Sequence, residues 1–355
     1  MSQPIVRQSP YIAHMSYPAL NKTDRSVRNW LLFMVILVAL MIVLGGKTRL
    51  TNSGLSITEW APISGALPPL SLDAWLSEFE KYKQIPEFLA EHPDMDLAGF
   101  KVIYFWEWSH RQLGRLIGLS YAIPFFYFFF RKRLPQGQIL KFFSIMVLIG
   151  VQGAIGWWMV ASGLVNDRVD VSQYRLATHL SVAFIILGAL FWLWRNQAEG
   201  WPPNSSAALP KKRIKLLGGL VFLQIVAGAF VAGLKAGRTY NTWPLMDGDF
   251  IPAGYAMMKP FWRNMFENIA AVQFNHRMLA YIILVVTIWV FIAARSHKRL
   301  KKYMIVFKVL LLWQVVLGIY VLLTGDALWL ALLHQFSAVF VWMSLVAAVR
   351  VAHKA

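Results

Sequence analysis

Long apolar runs, broken by short polar or basic segments, set the rhythm of the chain. A helix that crosses a bilayer needs about 20 mostly apolar residues. Eight stretches qualify: Trp30–Gly46, Ser109–Phe130, Ile139–Ala161, Leu176–Trp194, Ile214–Leu234, Phe274–Ala294, Tyr303–Leu323 and Trp329–Val349. Between them lie basic clusters: Arg25 and Arg28; Arg131, Lys132 and Arg133; Lys211, Lys212, Arg213 and Lys215; Arg295 to Lys302; Arg350 and Lys354. With eight crossings every cluster falls on the same side. The positive-inside rule then puts both termini in the cytoplasm, with 47–108, 165–175, 235–273 and 324–328 outside. Residues 1–29 lack the apolar centre of a signal peptide and do not read as a transit peptide, so they are expected to be a cytoplasmic tail. In the first outer segment the stretch Ser71–His92 reads as one short helix, with Leu72, Trp75, Leu76 and Phe79 at helical spacing and acidic residues opposite. That pattern fits a helix lying on the membrane interface or an ordinary loop helix.

The two halves repeat. The first span runs into GGKTRLTNSGLSITEWAP and the fifth into GLKAGRTYNTWP; the second opens with EWSHRQLGR and the sixth with QFNHRMLAY. The third contains VQGAIGWWM and the seventh WQVVLGIYV, while the fourth carries ATHLS and the eighth LLHQFS. Four spans per half give both halves the same orientation, so the expected fold is all-α: eight transmembrane helices as two pseudo-symmetric four-helix bundles about an axis along the membrane normal. The expected divisions are a tail at 1–29, an N-terminal half at 30–195, a cytoplasmic linker at 196–213, a C-terminal half at 214–350 and a tail at 351–355.

Composition agrees with this pattern: 57 % of the 355 residues are hydrophobic and 15 % charged, and the mean hydropathy is +0.50. The net charge of +18 could suggest a nucleic-acid partner, but the basic residues lie in short clusters between apolar runs, which reads as topology. With no cysteine, disulfides, iron–sulfur clusters, zinc thiolates and thiol nucleophiles are excluded.

Of eight histidines, His14, His92, His297 and His353 fall in tails or loops and receive no role. His110, His179, His276 and His334 stand one in each even-numbered span, near its outer end. A lone intramembrane histidine is often a packing residue; four at repeat-equivalent places point to a shared task. Facing imidazoles, His110 with His179 and His276 with His334, would suit the two axial positions of a haem iron between Phe/Trp-rich walls with glycines. A structural zinc usually takes four ligands, which neither half supplies. Arg111 and Arg277 follow the first histidine of each pair and would either reach a haem propionate or snorkel to the interface; the same two readings apply to Arg49 and Arg238. Glu107, three residues before His110 and on its helix face, breaks the symmetry, because Gln273, Phe274 and Asn275 precede His276. It is either a buried carboxylate able to take a proton or stabilise positive charge, or a solvated residue at the span's mouth. Gly45, Gly46, Gly153, Gly156, Gly228 and Gly233 would let helices or a flat ligand approach closely.

Eight spans in two repeats, ExxHR at Glu107–Arg111, NHR at Asn275–Arg277 and single histidines in the fourth and eighth spans together resemble the haem A synthase family, from about Trp30 to His353. TNSGLSITEW and GRTYNTWPLMDGDFIP resemble its outer loops. The resemblance implies an enzyme that oxidises the C8 methyl of haem O to a formyl group, giving haem A for cytochrome oxidase. It implies haem b on His276 and His334 with Arg277 nearby, haem O as substrate between His110 and His179 with Arg111, and Glu107 as the catalytic carboxylate. Some bacterial members carry an outer-loop cysteine pair that this chain lacks; the long first loop is more similar to the proteobacterial and mitochondrial group. A bacterial inner membrane follows, with haem sites in its outer half. Haem O synthase, cytochrome oxidase assembly factors and membrane lipid are the implied partners, no nucleic acid is expected, and a homo-oligomer stays open. A di-haem b electron-transfer cytochrome, with two permanent haems and no need of Glu107, is the alternative, followed by a transporter using the histidines as proton relays.

Overall fold

The computed structural model describes residues 24–165, 168–199, 210–325 and 327–353. Most of the expected N-terminal tail, including His14, the central part of the linker, and Lys354 and Ala355 lie outside the described residues. Eight helices are long and apolar enough to cross a membrane: α1 (Arg25–Leu50), α2 (Leu97–Phe130), α3 (Ile139–Ala161), α4 (Gln173–Glu199), α5 (Lys211–Gly233), α6 (Ile269–Ala294), α7 (Lys298–Leu323) and α8 (Leu328–His353). They match the eight expected spans, and no strand is present among the described residues.

Most ends extend a few residues past the apolar runs because capping side chains satisfy the first free amides. Asp24 accepts from the Ser26 amide at 2.8 Å, and Arg133, from beyond α2, bonds the same carboxylate at 2.9 Å. Asn268 accepts from the Ala270 amide at 2.9 Å. The largest departure is α2, which begins at Leu97 rather than Ser109, with Asp96 capping the Gly99 amide at 2.8 Å. Lys101 and Glu107 hide this first section from an apolar count. It is held instead by protein packing, through Phe100, Ile103 and Tyr104.

That packing comes from the first outer segment. The stretch expected to be one helix is two, Leu72–Lys83 and Pro86–Glu91, since proline at the first helical position starts a new helix readily. Phe79, Tyr82 and Phe88 join Leu55 and Ile57 against α2, whereas Leu72 and Leu76 stay exposed. Beneath this cap Tyr82 Oη lies 2.8 Å from His92 Nδ1 and 3.4 Å from Glu87 Oε1. Burial, reinforced by the charges of Glu107 and Asp170, pushes the Glu87 carboxyl up to about 8, and burial lowers the His92 imidazole below its ordinary value.

In α1–α4 each helix packs on the next and α4 returns to α1; α5–α8 follow the same order, with α8 returning to α5. Contacts of α4 with α5, α1 with α8 and α4 with α8 join the two groups. One apolar core fills the first group around Leu31, Met34, Tyr121, Phe142, Phe184 and Leu187, and a second fills the other around Ile214, Leu217, Met304, Phe307 and Leu345. Leu32, Phe33, Ile36 and Leu40 on α1 and Val285, Ile288 and Ile292 on α6 face outward, as lipid contact requires.

Polar ties fix the helix registers where bilayer offers no water. Trp30 Nε1 donates to Ser120 O at 2.8 Å, Tyr121 Oη to Phe142 O at 2.9 Å, and Trp342 Nε1 to Phe184 O at 2.9 Å. Arg350, 1 % exposed, donates to Asn196 Oδ1 at 2.8 Å and to Arg195 O at 3.1 Å, joining the basic ends of α4 and α8. Gln335, next to His334, donates to Ile42 O on α1 at 2.6 Å and fills the space beside Gly46, where a Cβ would collide with its Oε1.

Candidate haem-binding site

The four span histidines sit in four niches of one design. Each imidazole Cε1 rests on a glycine of a neighbouring helix: His110 on Gly45, His179 on Gly156, His276 on Gly228 and His334 on Gly318. A Cβ added to these glycines would come within 3.0, 3.0, 3.2 and 2.9 Å of the ring carbon, tighter than ordinary van der Waals contact, so any larger residue would require the ring to shift. His110 and His179 come near one another across the first group of helices, as do His276 and His334 across the second. All four rings remain partly accessible although they stand among packed helices, as they would along an internal cleft. Nδ1 of His110 and of His179 is buried with no hydrogen-bond partner.

Three niches contain a further group that sequence reasoning passed over. Gln152 on α3, Gln224 on α5 and Gln314 on α7 each donate through Nε2 to the main-chain carbonyl of the histidine across the gap, His179, His276 and His334 respectively, at 3.0 Å. The same amide nitrogen lies 3.2–3.5 Å from ring nitrogens of these histidines. Each glutamine stands four residues before its niche glycine, a Q-x-x-x-G spacing that was the available signal. Gly318 was also missed. Gly153 has open space beside it, and Gly233 packs on Gln173.

Glu107 is 3 % exposed, not solvated. Its Oε2 accepts from Ser56 Oγ and from the Ile57 amide, both at 2.8 Å; its Oε1 accepts from Arg111 Nη2 at 2.7 Å and Nε at 3.1 Å. Arg111 also donates to Ile57 O at 2.7 Å and Glu59 O at 2.9 Å, so the Glu107–Arg111 pair fastens the outer loop to α2. Gln273 and Arg277 make the corresponding clasp on α6. Arg277 Nη2 bonds Gln273 Oε1 at 2.9 Å and Tyr240 O at 2.7 Å, and Gln273 Nε2 donates to Ala236 O at 2.7 Å. One clasp carries a carboxylate and the other an amide, which is the asymmetry expected from the sequence, now located at one residue pair.

These bonds commit most donors of Arg111 and Arg277 to loop carbonyls and to Glu107 or Gln273. Arg277 Nε, Arg115 Nη1 and Trp108 Nε1 remain buried without partners. Arg49 reaches across to the Ala232 carbonyl of α5. Stacked above the first group, Trp60 and Trp157 lie 5.8 Å apart at 16°, with the Arg111 guanidinium 5.7 Å from the Trp157 ring centre.

The site's donor set suits a haem. Paired imidazoles could ligate a haem iron, the glycine floors leave room for those rings, and unpaired guanidinium and indole donors would suit a haem's acidic edge. Among the described residues no three His, Cys, Asp or Glu side chains converge as a bare metal ion would require.

The model of the cytochrome oxidase assembly protein family COX15-CtaA matches residues 28–346. A haem A synthase of Maricaulis maris is 49 % identical over 346 residues, covering 96 % of this chain and 100 % of that protein. Haem A synthases of Beijerinckia indica and Paracoccus denitrificans are 50 % and 48 % identical, covering 89 % and 88 % of this chain and 90 % and 84 % of theirs. Matches of this extent, on a helix arrangement and histidine set read independently of them, make the chain a member of the COX15-CtaA family of cytochrome oxidase assembly proteins.

Proposed function

We propose that the chain is a haem A synthase: a membrane oxidoreductase that takes haem O and oxidises its C8 methyl to a formyl group, supplying haem A to cytochrome oxidase. The observation that carries this reading is the difference between two otherwise matching sites, Glu107 beside His110 and Gln273 beside His276. Two permanent electron-transfer haems would give no reason for that difference. A transporter would give no reason for glycine floors under all four imidazoles.

In this reading residues 214–350 would hold a resident haem b through His276 and His334, and the unpartnered Nε of Arg277 would be available to its acidic groups. When bound, that haem supplies a one-electron redox centre. Residues 30–195 receive haem O between His110 and His179, with Arg111 holding the loop above and Arg115 and Trp108 offering unpaired donors. Glu107 presents negative charge near the substrate, held by Ser56, Ile57 and Arg111. Proton transfer through it would displace one of those donors, which couples the loop to the reaction. The repeat and the shared packing order support a pseudo-twofold relation of the halves. The clustering of Arg131, Arg133, Lys211, Lys212, Arg295 and Lys298 at one set of helix ends supports a bacterial inner-membrane location with those ends, and both termini, in the cytoplasm and the histidines in the outer half. Haem O synthase and oxidase assembly factors are the partners this role requires.

The test is haem extraction from the purified protein out of cells that make haem O, followed by chromatography with mass detection. Haem b together with haem O, a hydroxylated intermediate or haem A is expected. Haem b alone at two per chain would replace this reading with the electron-transfer cytochrome, and no haem would leave the transporter.

A further inference from the structure

Three of the four niches pair a glycine floor with a glutamine, and the fourth does not. Four residues before Gly156, Gly228 and Gly318 stand Gln152, Gln224 and Gln314; four residues before Gly45 stands Met41. The Met41 methyl reaches toward Gly114, one turn beyond His110, where a Cβ would lie 3.4 Å from it. A thioether has no N–H to give, and among the described residues no side chain donates to the His110 carbonyl as Gln152, Gln224 and Gln314 do to those of the other three histidines. Met41 and Gln224 occupy corresponding places on α1 and α5.

The difference is physical. An amide donating to the backbone of the facing helix ties that turn, and the imidazole it carries, to a neighbour, and in a bilayer no water competes for the bond. Methionine is unbranched and flexible, fills the gap by packing alone and tolerates movement of what it packs on. His179, in the same group of helices as His110, keeps its tether through Gln152.

We propose that Met41 makes His110 the one untethered haem-facing imidazole, the releasable side of a site whose occupant must arrive as haem O and leave as haem A. Gln152, Gln224 and Gln314 are positioning residues that hold the other three imidazoles still. The proposal rests on the assignment of the two haem sites above. It adds that the exchanging haem leaves from the His110 side, and that this mobility is written at position 41 rather than at any iron ligand.

The reciprocal swap tests it. The full-length protein is purified from cells making haem O as wild type, Met41→Gln and Gln224→Met, then mixed with excess apomyoglobin as haem acceptor. Mass detection separates farnesylated haem from haem b, so the two sites report independently. Wild type is expected to lose its farnesylated haem faster than haem b. Met41→Gln should slow that loss about threefold, the factor equivalent to the about 0.6 kcal/mol of a typical hydrogen bond between membrane helices, and leave haem b alone. Gln224→Met should speed haem b loss by a similar factor and leave the farnesylated haem unchanged. Equal exit from wild type and Met41→Gln, with haem b unmoved by Gln224→Met, would overturn the tether while leaving the site assignment intact. Farnesylated haem missing from all three proteins would overturn the site assignment itself, and the tether with it. Should Met41→Gln fail to accumulate, the haem b exit rate of Gln224→Met decides alone.

Discussion

Replacing Glu107 with glutamine separates what this residue does for the fold from what it does for the chemistry. The carboxylate receives four donor contacts, two from Arg111 and one each from Ser56 and Ile57. An amide has one oxygen. If that oxygen keeps Arg111, as Gln273 keeps Arg277, the Ser56 hydroxyl can turn to accept from the new NH2, but the Ile57 amide is left facing a donor. A buried donor without a partner costs about 1–3 kcal/mol. Arg111 also loses its charge partner but, with its side chain 18 % exposed, keeps the Ile57 and Glu59 carbonyls, which holds the added cost to about 1 kcal/mol, below that of breaking a fully buried pair. Glu107→Gln should therefore be destabilised by about 2–4 kcal/mol, seen as an earlier thermal transition in detergent, while retaining haem b with its normal reduced spectrum. Formyl formation, read by chromatography of extracted haem, should fall by about 100-fold or more, the scale of a lost acid–base or charge-stabilising group. Haem A production at the wild-type level by a folded, haem-loaded Glu107→Gln protein would refute the catalytic role and leave Glu107 a loop clasp.

Gly318→Ala should place a methyl 2.9 Å from His334 Cε1, cost about 1–3 kcal/mol of overpacking and lower haem b occupancy in the reduced spectrum; full occupancy would mean the floor yields. His276→Ala and His334→Ala should each remove haem b, and extraction showing it still at one per chain would place the resident haem elsewhere. Glu87 has a folded value of about 8 against an ordinary 4.5, so the stability it permits is complete below about pH 4.5 and is lost as pH rises toward 8. Melting of Glu87→Gln should match wild type near pH 4.5 and exceed it near pH 8, and identical pH profiles would contradict the burial of that charge among Tyr82, Glu107, Asp170 and Lys235. Arg350→Leu should lower the melting temperature through loss of about 3 kcal/mol, as Asn196 and Glu199 lose their buried partner, with the haem spectrum unchanged. An unshifted transition would show that the inner ends of α4 and α8 are held by other contacts.

The eight spans and the four histidines were legible because bilayer hydrocarbon imposes one simple requirement, a long apolar helix, and makes every polar exception conspicuous. The start of α2 was not, because its first turns are covered by protein rather than lipid and can carry Lys101 and Glu107. The break at Pro86 was lost for a related reason: the apolar side chains of the outer cap report burial, not where a helix restarts. Gln152 and Gln314 stood in the repeated motifs in plain view, yet their role depends on a carbonyl of a different helix, which no spacing along one helix displays. Arg111 and Arg277 were found, but their bonds to loop carbonyls depend on how the outer segments fold back, information spread over residues 56–59 and 240–245.

Gln335 follows His334 in the chain, bonds the Ile42 carbonyl and presses on Gly46, the neighbour of the glycine beneath His110. His334 on α8 and the α1 turn beneath His110 are thus linked by one side-chain hydrogen bond and a short run of backbone. If both histidines hold haem as proposed, an electron crossing between the halves would find a largely bonded route there, whose coupling depends on the Gln335 side chain.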